Sequence, residues 1–235
     1  MIGKIYEPET QALMKKVLKE GDNFVIAGAH RGVLSSVAAS LVGPKGHGFL
    51  FEPESENYQI LTETMKCFSN IKIFNHALGD RECEAKFFIN DDNNGGHALW
   101  DVSLNLYNLK SQKNRRVKNV RVRKLDNVLE EEGIESLKLI LFDMEGAEHS
   151  ALKGSINTIV DLDVPYIISE INGLGLRNCG TTQILLRSFM KAYGYREYGM
   201  DGKKTDVSID KELFAYNEKD GEVVFNILFS RNGIS

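Results

Sequence analysis

The chain has 235 residues, of which 42% are hydrophobic and 26% charged, so its size and composition fit one large α/β domain spanning residues 1–235. Its net charge of −4 argues against a protein that coats nucleic acid, and its three scattered cysteines lack a CxxC pair, which argues against a disulfide framework or a zinc site. The sequence contains neither an apolar run of membrane-spanning length nor a signal-peptide core, so we expect a cytoplasmic protein with no membrane partner.

The first part of the chain predicts a helix and then a ligand-binding turn. Within residues 1–20, Pro8 to Glu20 shows the apolar spacing of a helix. A buried strand is expected from Phe24 to Ala27, followed by the turn Gly28-Ala29-His30-Arg31-Gly32 and a helix over Val33 to Leu41. This succession is typical of a unit that binds a nucleotide or adenosyl group, because glycines admit the ligand and the helix start offers free N–H groups. Many such turns are purely structural, so both interpretations stay open.

The second unit supplies an acid where a ribose is expected. The apolar strand Gly48 to Phe51 ends in Glu52-Pro53, and Glu52 lies 20 residues after Gly32. A carboxylate at this place in a Rossmann-like fold accepts hydrogen bonds from the ribose hydroxyls. The third strand, Ile71 to Phe74, leads to Ala77-Leu78, where we expect contact with an adenine ring.

Residues 84–125 interrupt the alternation of strands and helices, and we interpret them as an insertion on the substrate side. Ala85 to Ile89 and Val117 to Val122 predict two strands. Between them, Asn90 to Trp100 is rich in turn formers and contains His97. A long loop of this kind is usually either functional or disordered. We favour a loop that faces the substrate, with Trp100 as a contact.

The insertion ends in a strongly basic segment. Residues 110–124 contain eight basic side chains and no acid. One interpretation is a solvated strand face. The other is an electrostatic site for a phosphorylated or otherwise anionic acceptor, with Arg115 and Arg116 as its contacts. The second interpretation makes a nucleotide-linked sugar a candidate partner.

The most informative stretch follows this insertion. The apolar run Leu139 to Phe142 predicts a strand buried on both faces of a parallel sheet. It ends in Asp143 and Glu145, and Glu148 opens a helix expected over Ala147 to Val160. Ligands of open α/β sheets bind beyond the carboxyl ends of the strands, which is where these acids would lie. The alternative is that Asp143 only caps the helix.

The remaining residues repeat this pattern once and then complete the sheet. Pro165 to Asn172 predicts a strand that again runs into an acid, Glu170. A helix is expected from Thr182 to Tyr193, and two late strands are expected from Tyr195 to Tyr198 and from Val223 to Phe229. The acids of the two buried strands should therefore share one edge of the sheet.

The parts in this order resemble the class I S-adenosylmethionine-dependent methyltransferases and, more narrowly, the FkbM family of O-methyltransferases. Each motif alone is weak, but together they are specific, and they cover roughly residues 20 to 230. The motifs are Gly21-Asp22, Gly28-Ala29, Phe51-Glu-Pro53, Asn57-Tyr58, Ala77-Leu-Gly-Asp80, Leu125-Asp126, Asp143-Met-Glu-Gly-Ala-Glu148, Leu152-Lys-Gly154, Glu170-Ile171 and Gly194-Tyr195.

This resemblance implies a Rossmann-like α/β fold whose seven-stranded sheet is mostly parallel, with an antiparallel last strand, helices on both faces and a β-rich insertion before the fourth strand. It also implies methyl transfer from S-adenosylmethionine to a hydroxyl of a macrolide, sugar or glycan, and we favour a sugar. The cofactor contacts that it implies are Ala27, Gly28, Ala29, His30, Arg31, Glu52, Pro53, Ala77, Leu78 and Asp143.

For catalysis, the resemblance points to the acids at the strand ends. Asp143, Glu145 and Glu170 would act as a base, or a group made of Asp143, Glu170 and Asn172 would hold Mg²⁺ or Mn²⁺ and lower the pKa of the acceptor hydroxyl. His97 is an alternative base if its loop folds over the site.

The sequence departs from the family pattern at three positions. Ile26 stands where an acid is usual, His30 where asparagine is usual and Leu141 where lysine is usual. With the first departure, backbone groups of Ala27 and Ala29 or the acids near Asp143 would have to hold the methionine amino group. The same departure makes a cofactor-binding module without catalysis one alternative function. A nucleic-acid methyltransferase is another, opposed by the negative net charge and by the absence of a DPPY- or PC-type motif after the fourth strand.

Overall fold

The structure is a computed structural model that describes residues 6–203 and 224–234. Its strands in these ranges are β1 Phe24–Ala27, β2 Gly48–Phe51, β3 Ile71–Phe74, β4 Ala77–Leu78, β5 Cys83–Ile89, β6 Arg116–Arg123, β7 Leu139–Phe142, β8 Tyr166–Asn172, β9 Arg196–Tyr198 and β10 Val224–Ser230. Its α-helices are α1 Pro8–Val17, α2 Val33–Val42, α3 Ser55–Met65, α4 Leu109–Lys113, α5 Leu125–Glu131, α6 Glu148–Lys153, α7 Ile156–Asp161, α8 Gly173–Asn178 and α9 Gln183–Ala192.

Seven of the strands form one sheet in the order β3-β2-β1-β7-β8-β10-β9. The pairs from β3 to β8 are parallel, whereas β10 runs antiparallel to both β8 and β9. The two long strands of the insertion, β5 and β6, form a second sheet with the preceding short strand β4, in the order β4-β6-β5. The predicted α/β fold, with its mostly parallel sheet and its β-rich insertion, is therefore confirmed.

The central strands are buried because their side chains alternate between two hydrophobic layers. Ile140 and Phe142 belong to the layer that includes residues of α5, α6, α7 and α9, whereas Leu139 and Leu141 belong to the layer built with α1, α2 and α3. A strand covered on both faces must be apolar at every position. This arrangement leaves the carboxyl ends of the strands as the place where polar side chains can meet.

One helix prediction was wrong. The helix expected over Ala147 to Val160 is two helices, α6 and α7, separated at Gly154 and Ser155. The backbone passes so close here that a Cβ on Gly154 would lie 1.9 Å from the carbonyl oxygen of Gly79. The carboxylate of Asp126 then accepts the Thr158 N–H at 2.8 Å, which helps to start the second helix. Gly79 and Asp126 both lie in segments that are distant in the sequence from α6 and α7.

Two further features complete the comparison with the sequence. The helix α8 was not predicted, and Val223, the first residue of the last predicted strand, lies outside the described residues. Within residues 6–203 and 224–234, none of the helices is both long and apolar enough to cross a lipid bilayer.

Candidate functional site

A cleft of about 460 Å³ opens at the carboxyl ends of β1, β2, β7 and β8. The first strand, β1, has β2 on one side and β7 on the other, so the chain order reverses at this point of the sheet. Such a reversal leaves a crevice that binds ligands in open α/β sheets. All of the predicted cofactor contacts line the cleft, namely Ala27, Gly28, Ala29, His30, Arg31, Glu52, Pro53, Ala77, Leu78 and Asp143.

The turn after β1 requires glycine for two reasons. Gly28 has a φ of 81°, and a Cβ on it would lie 1.6 Å from the carbonyl oxygen of Asp143. The Gly28 and Ala29 N–H groups both donate to the carbonyl oxygen of Phe51 at 3.0 Å. The turn is therefore fixed against the ends of both neighbouring strands, with its backbone exposed to the cleft.

Glu52 is a buried carboxylate held by backbone donors. Its Oε2 accepts the His30 N–H at 2.8 Å and its Oε1 accepts the Glu54 N–H at 2.9 Å. Burial raises the pKa of Glu52 to about 7, because removal from water disfavours the charged form. Each carboxylate oxygen keeps a second lone pair, so the fixed side chain can accept two further hydrogen bonds from a ligand.

Acids from β7 and β8 crowd the opposite end of the cleft. Asp143, Glu145 and Glu170 all line it, as predicted for the acidic cluster. Burial raises the pKa of Asp143, and the charge of Glu145 raises it further. Asp143 does not cap the following helix, whose N-cap is Ala147. Glu148 instead holds this loop, since its Oε1 accepts the Met144 N–H at 2.8 Å.

Two contacts fix Glu145, which has a left-handed φ of 55°. Its Oε2 accepts a hydrogen bond from the Asn172 Nδ2 at 2.7 Å, and its carbonyl oxygen accepts one from the Trp100 Nε1 at 2.6 Å. Burial raises the pKa of the Glu145 carboxyl, and the Asn172 bond opposes that shift. Trp100 was predicted as a substrate contact, but it is buried away from the cleft and supports the loop instead.

The predicted metal ligands do not fit together as a set. The Asn172 Oδ1 accepts the Gly175 N–H at 2.9 Å at the start of α8, while its amide nitrogen is bound to Glu145. Asn172 is therefore not turned toward Asp143 and Glu170 as a ligand. In the two described ranges, no group of three or more His, Cys, Asp or Glu side chains is arranged to hold a metal ion.

The loop that connects β5 to Trp100 faces the cleft. Asn93, Asn94, Gly95 and His97 line it, and the Asn94 Oδ1 lies 2.7 Å from the Nε2 of His30. The Nδ1 of His97 accepts the Asn90 N–H at 3.0 Å. Burial lowers the pKa of His97, which favours the neutral ring. A neutral His97 with its Nδ1 lone pair engaged carries its proton on Nε2.

The basic segment is partly neutralised by acids from elsewhere in the chain. Arg115 pairs with Asp101 at 2.7 Å and Arg116 pairs with Asp91 at 2.8 Å. Neither arginine lines the large cleft. Arg116 instead borders a smaller polar pocket of about 150 Å³ beside His97. The structure therefore does not bring Arg115 and Arg116 to the acids at the strand ends.

The cleft residues that the sequence did not indicate include two from the N-terminal segment. Tyr6 and Glu7, which precede α1, line it together with Asp143 and Glu170. Burial raises the pKa of the Tyr6 hydroxyl, and the charges of Glu7 and Asp143 add to this shift. No local pattern around Tyr6 could have indicated this, since Asp143 and Glu170 are distant from it in the sequence.

Comparisons with known proteins find one curated relative, several solved structures of similar fold and one family model. The curated relative 2-O-methyltransferase NoeI of Sinorhizobium fredii (strain NBRC 101917 / NGR234) is 30% identical over 127 residues, which are 49% of this chain and 50% of that protein. The chain thus spans about half the length of this relative.

Similar solved structures are far more distant in sequence, and they show the fold alone. A Clostridium thermocellum protein proposed to be an rRNA methylase has a TM-score of 0.54 at 14% identity, covering 100% of this chain and 99% of that one. Streptococcus mutans SMU.1697c, solved in complex with SAH, has a TM-score of 0.51 at 8% identity, covering 98% and 99%. The precorrin-6y C5,15-methyltransferase of Geobacter metallireducens GS-15 has a TM-score of 0.51 at 12% identity, covering 99% and 93%.

A family model covers most of the chain. Residues 27–197 match the methyltransferase FkbM domain, from the last residue of β1 to the middle of β9. The matched range includes the glycine turn, Glu52 and the acids of β7 and β8. The chain belongs to the FkbM methyltransferase family.

Proposed function

We propose that this chain is a single-domain S-adenosylmethionine-dependent O-methyltransferase that acts on a hydroxyl of a sugar, a glycan or a related secondary metabolite. The observation that carries the proposal is that one cleft holds two carboxylates suited to different tasks. Glu52 is fixed by backbone donors at the end of β2, and Glu145 is held at the end of β7. Both line the same space.

The nucleoside side of the cofactor fits the end of the cleft near Glu52. Its two fixed oxygens suit the two neighbouring hydroxyls of a ribose. Ala77 and Leu78 provide an apolar surface for the adenine ring, and both line the cleft. The bare backbone of Gly28 lets the ligand pass between these groups and the acids.

When bound, S-adenosylmethionine supplies a methyl group made electrophilic by the sulfonium. Glu145 then has the task of removing the proton of the acceptor hydroxyl as the oxygen attacks. Its raised pKa brings the carboxyl closer to neutral pH, where a general base typically contributes about 10²–10⁴-fold. The hydrogen bond from Asn172 fixes one carboxylate oxygen and leaves the other for the acceptor. The loop that carries His97 covers this space and positions the acceptor.

His97 is less suited to act as the base. Its Nδ1 lone pair is engaged by the Asn90 N–H, so its Nε2 carries the proton and can only donate. Asp143 lies beside the charges of Glu145 and Glu170, which suits this group of acids to the positive charge of the cofactor. A divalent cation has no assigned step here, because Asn172 is engaged elsewhere.

The acceptor proposal rests on the relative and on charge. The relative is named a 2-O-methyltransferase, which supports transfer to oxygen. The acids of the cleft would repel nucleic-acid phosphates at the reacting end. The ion pairs of Arg115 and Arg116 weaken the case for a phosphate site there, so an uncharged sugar is favoured over a nucleotide-linked one.

The test is methyl transfer from S-adenosylmethionine with a deuterated methyl group to three acceptor classes, followed by mass spectrometry. The classes are neutral oligosaccharides, nucleotide-linked sugars and ribosomal RNA. We expect the label on a sugar oxygen and none on RNA, with Glu52→Gln as a control whose activity is reduced at limiting cofactor concentration. Label on RNA would favour a nucleic-acid methyltransferase, and SAH binding without any transfer would favour a module that only binds the cofactor.

A further inference from the structure

The N-terminal segment contributes an acid that the family match does not contain. Glu7 lies outside the matched residues 27–197, yet it lines the cleft beside the end of β1. The β1 side chain at this end is Ile26, which is buried and apolar, so β1 itself brings no anion to the cleft. The first residues therefore add a charge that this strand lacks.

Two hydrogen bonds hold the Glu7 carboxylate in place. Its Oε2 accepts one from the Thr10 Oγ1 at 2.9 Å and another from the Asn226 Nδ2 at 3.1 Å. Asn226 on β10 is directly paired with Glu170 on β8. Directly opposed residues of antiparallel strands lie about 4.5–5.5 Å apart and project from the same face. Asn226 thus brings Glu7 to the end of the cleft where Glu170 lies.

Glu170 supplies an independent indication of a ligand at this place. It is 7% exposed, and its Oε2 has no hydrogen-bond partner within the described part of the chain. A buried carboxylate oxygen without a donor is costly. Burial and the charge of Asp143 raise the pKa of Glu170, because both disfavour its negative charge. A cationic ligand beside Glu170 would favour that charge.

We infer that Glu7 and Glu170 together bind the ammonium group at the amino-acid end of the cofactor. This inference rests on the proposed function and names the residues that replace an acid on β1. An ammonium group has three N–H donors, so it can serve both carboxylates at once. The ends of β2 and β8 are three strand spacings apart, roughly 14 Å, and the Glu52 and Glu170 side chains reach inward from them. A nucleoside with an amino-acid tail spans the space that remains.

The experiment compares two ligands that differ only in this tail. S-adenosylhomocysteine carries the ammonium group, whereas 5′-methylthioadenosine keeps the nucleoside and the sulfur but lacks the amino-acid end. Affinities are measured by titration calorimetry for the wild type, for Glu7→Gln and for Glu9→Gln, which changes an exposed acid two residues further along the chain, in α1. A glutamine at position 7 can still accept the bonds from Thr10 and Asn226, so the fold is preserved, and thermal unfolding verifies this.

We expect Glu7→Gln to weaken S-adenosylhomocysteine binding about 10-fold, because it removes a charged hydrogen bond, and to leave 5′-methylthioadenosine binding unchanged. Glu9→Gln should change neither. The inference is overturned if Glu7→Gln binds S-adenosylhomocysteine like the wild type, or if it loses affinity equally for both ligands. A wild-type protein that binds neither ligand would instead overturn the proposed function itself.

Discussion

The indole Nε1 of Trp100 donates a 2.6 Å hydrogen bond to the carbonyl oxygen of Glu145, although 45 positions separate the two residues in the chain. Trp100 is packed among Phe88, Ala98 and Val102 of the insertion. Glu145 adopts a left-handed backbone conformation, which a non-glycine residue keeps only under restraint. The insertion therefore supports the loop that carries the proposed base.

Trp100→Phe tests this support, since it removes the indole N–H and keeps a large apolar ring. Loss of one hydrogen bond costs about 1 kcal/mol, which corresponds to about a 5-fold to 10-fold lower kcat if Glu145 moves out of position. S-adenosylhomocysteine affinity should not change, because Trp100 does not line the cleft. Val102→Ala is the matched control, because it removes apolar packing without touching this bond. An unchanged kcat in Trp100→Phe would show that the bond does not position Glu145.

Gly28→Ala and Gly21→Ala form a second matched pair. Both glycines have a positive φ, 81° and 90°, so each alanine pays a backbone cost of about 1–2 kcal/mol. A Cβ at position 21 meets no atom within 4 Å, whereas one at position 28 overlaps the carbonyl oxygen of Asp143. Urea unfolding should therefore show Gly28→Ala to be less stable than Gly21→Ala by about 1–3 kcal/mol. Equal losses would mean that the close approach is absent in solution.

The sequence predicted the strands of the cleft well, because their signals are local. The bounds of β1, β2, β3 and β7 agree with the expected ones to the residue, since each strand is a short, mainly apolar run followed directly by glycine, asparagine or an acid. The acids after β7 were also found, because polar groups directly after a buried strand must lie at its carboxyl edge.

The features that the sequence did not predict depend on contacts between segments that are distant in the chain. The break between α6 and α7 follows from the approach of Gly154 to Gly79, which no helical pattern reports. The partners of Arg115 and Arg116 lie outside the basic segment, so that segment looked free of acids. Glu7 is held at the cleft in part by a hydrogen bond from Asn226, which lies near the other end of the chain.

Cofactor affinity should depend on pH through Glu52. The pKa of the Glu52 carboxyl is raised from 4.5 to about 7 in the folded protein. Protonation of Glu52 therefore stabilises the fold, and this contribution to the free energy of unfolding is present below pH 4.5 and is lost as pH rises toward 7. Ribose hydroxyls donate best to the ionised carboxylate, so binding should release a proton near pH 6.5. Affinity for S-adenosylhomocysteine should increase about 10-fold between pH 6 and pH 8.

Titration calorimetry in buffers of different ionisation enthalpy measures this proton release directly. Glu52→Gln should bind about 10-fold to 100-fold more weakly, because a hydrogen bond to a charged group contributes about 1.5–3 kcal/mol, and its affinity should not vary over this pH range. A pH dependence that persists in Glu52→Gln would assign the proton to another acid, such as Glu148, whose pKa burial also raises to about 7.

The most direct test of methyl transfer in this cleft is the kcat of Glu145→Gln, measured with S-adenosylmethionine and the acceptor that the labelling experiment identifies. Glutamine keeps the size of the side chain and can still accept the hydrogen bond from Asn172, but it cannot take a proton. We expect kcat to fall by about 10²–10⁴-fold, with S-adenosylhomocysteine affinity unchanged. Wild-type kcat in Glu145→Gln would contradict proton removal by Glu145.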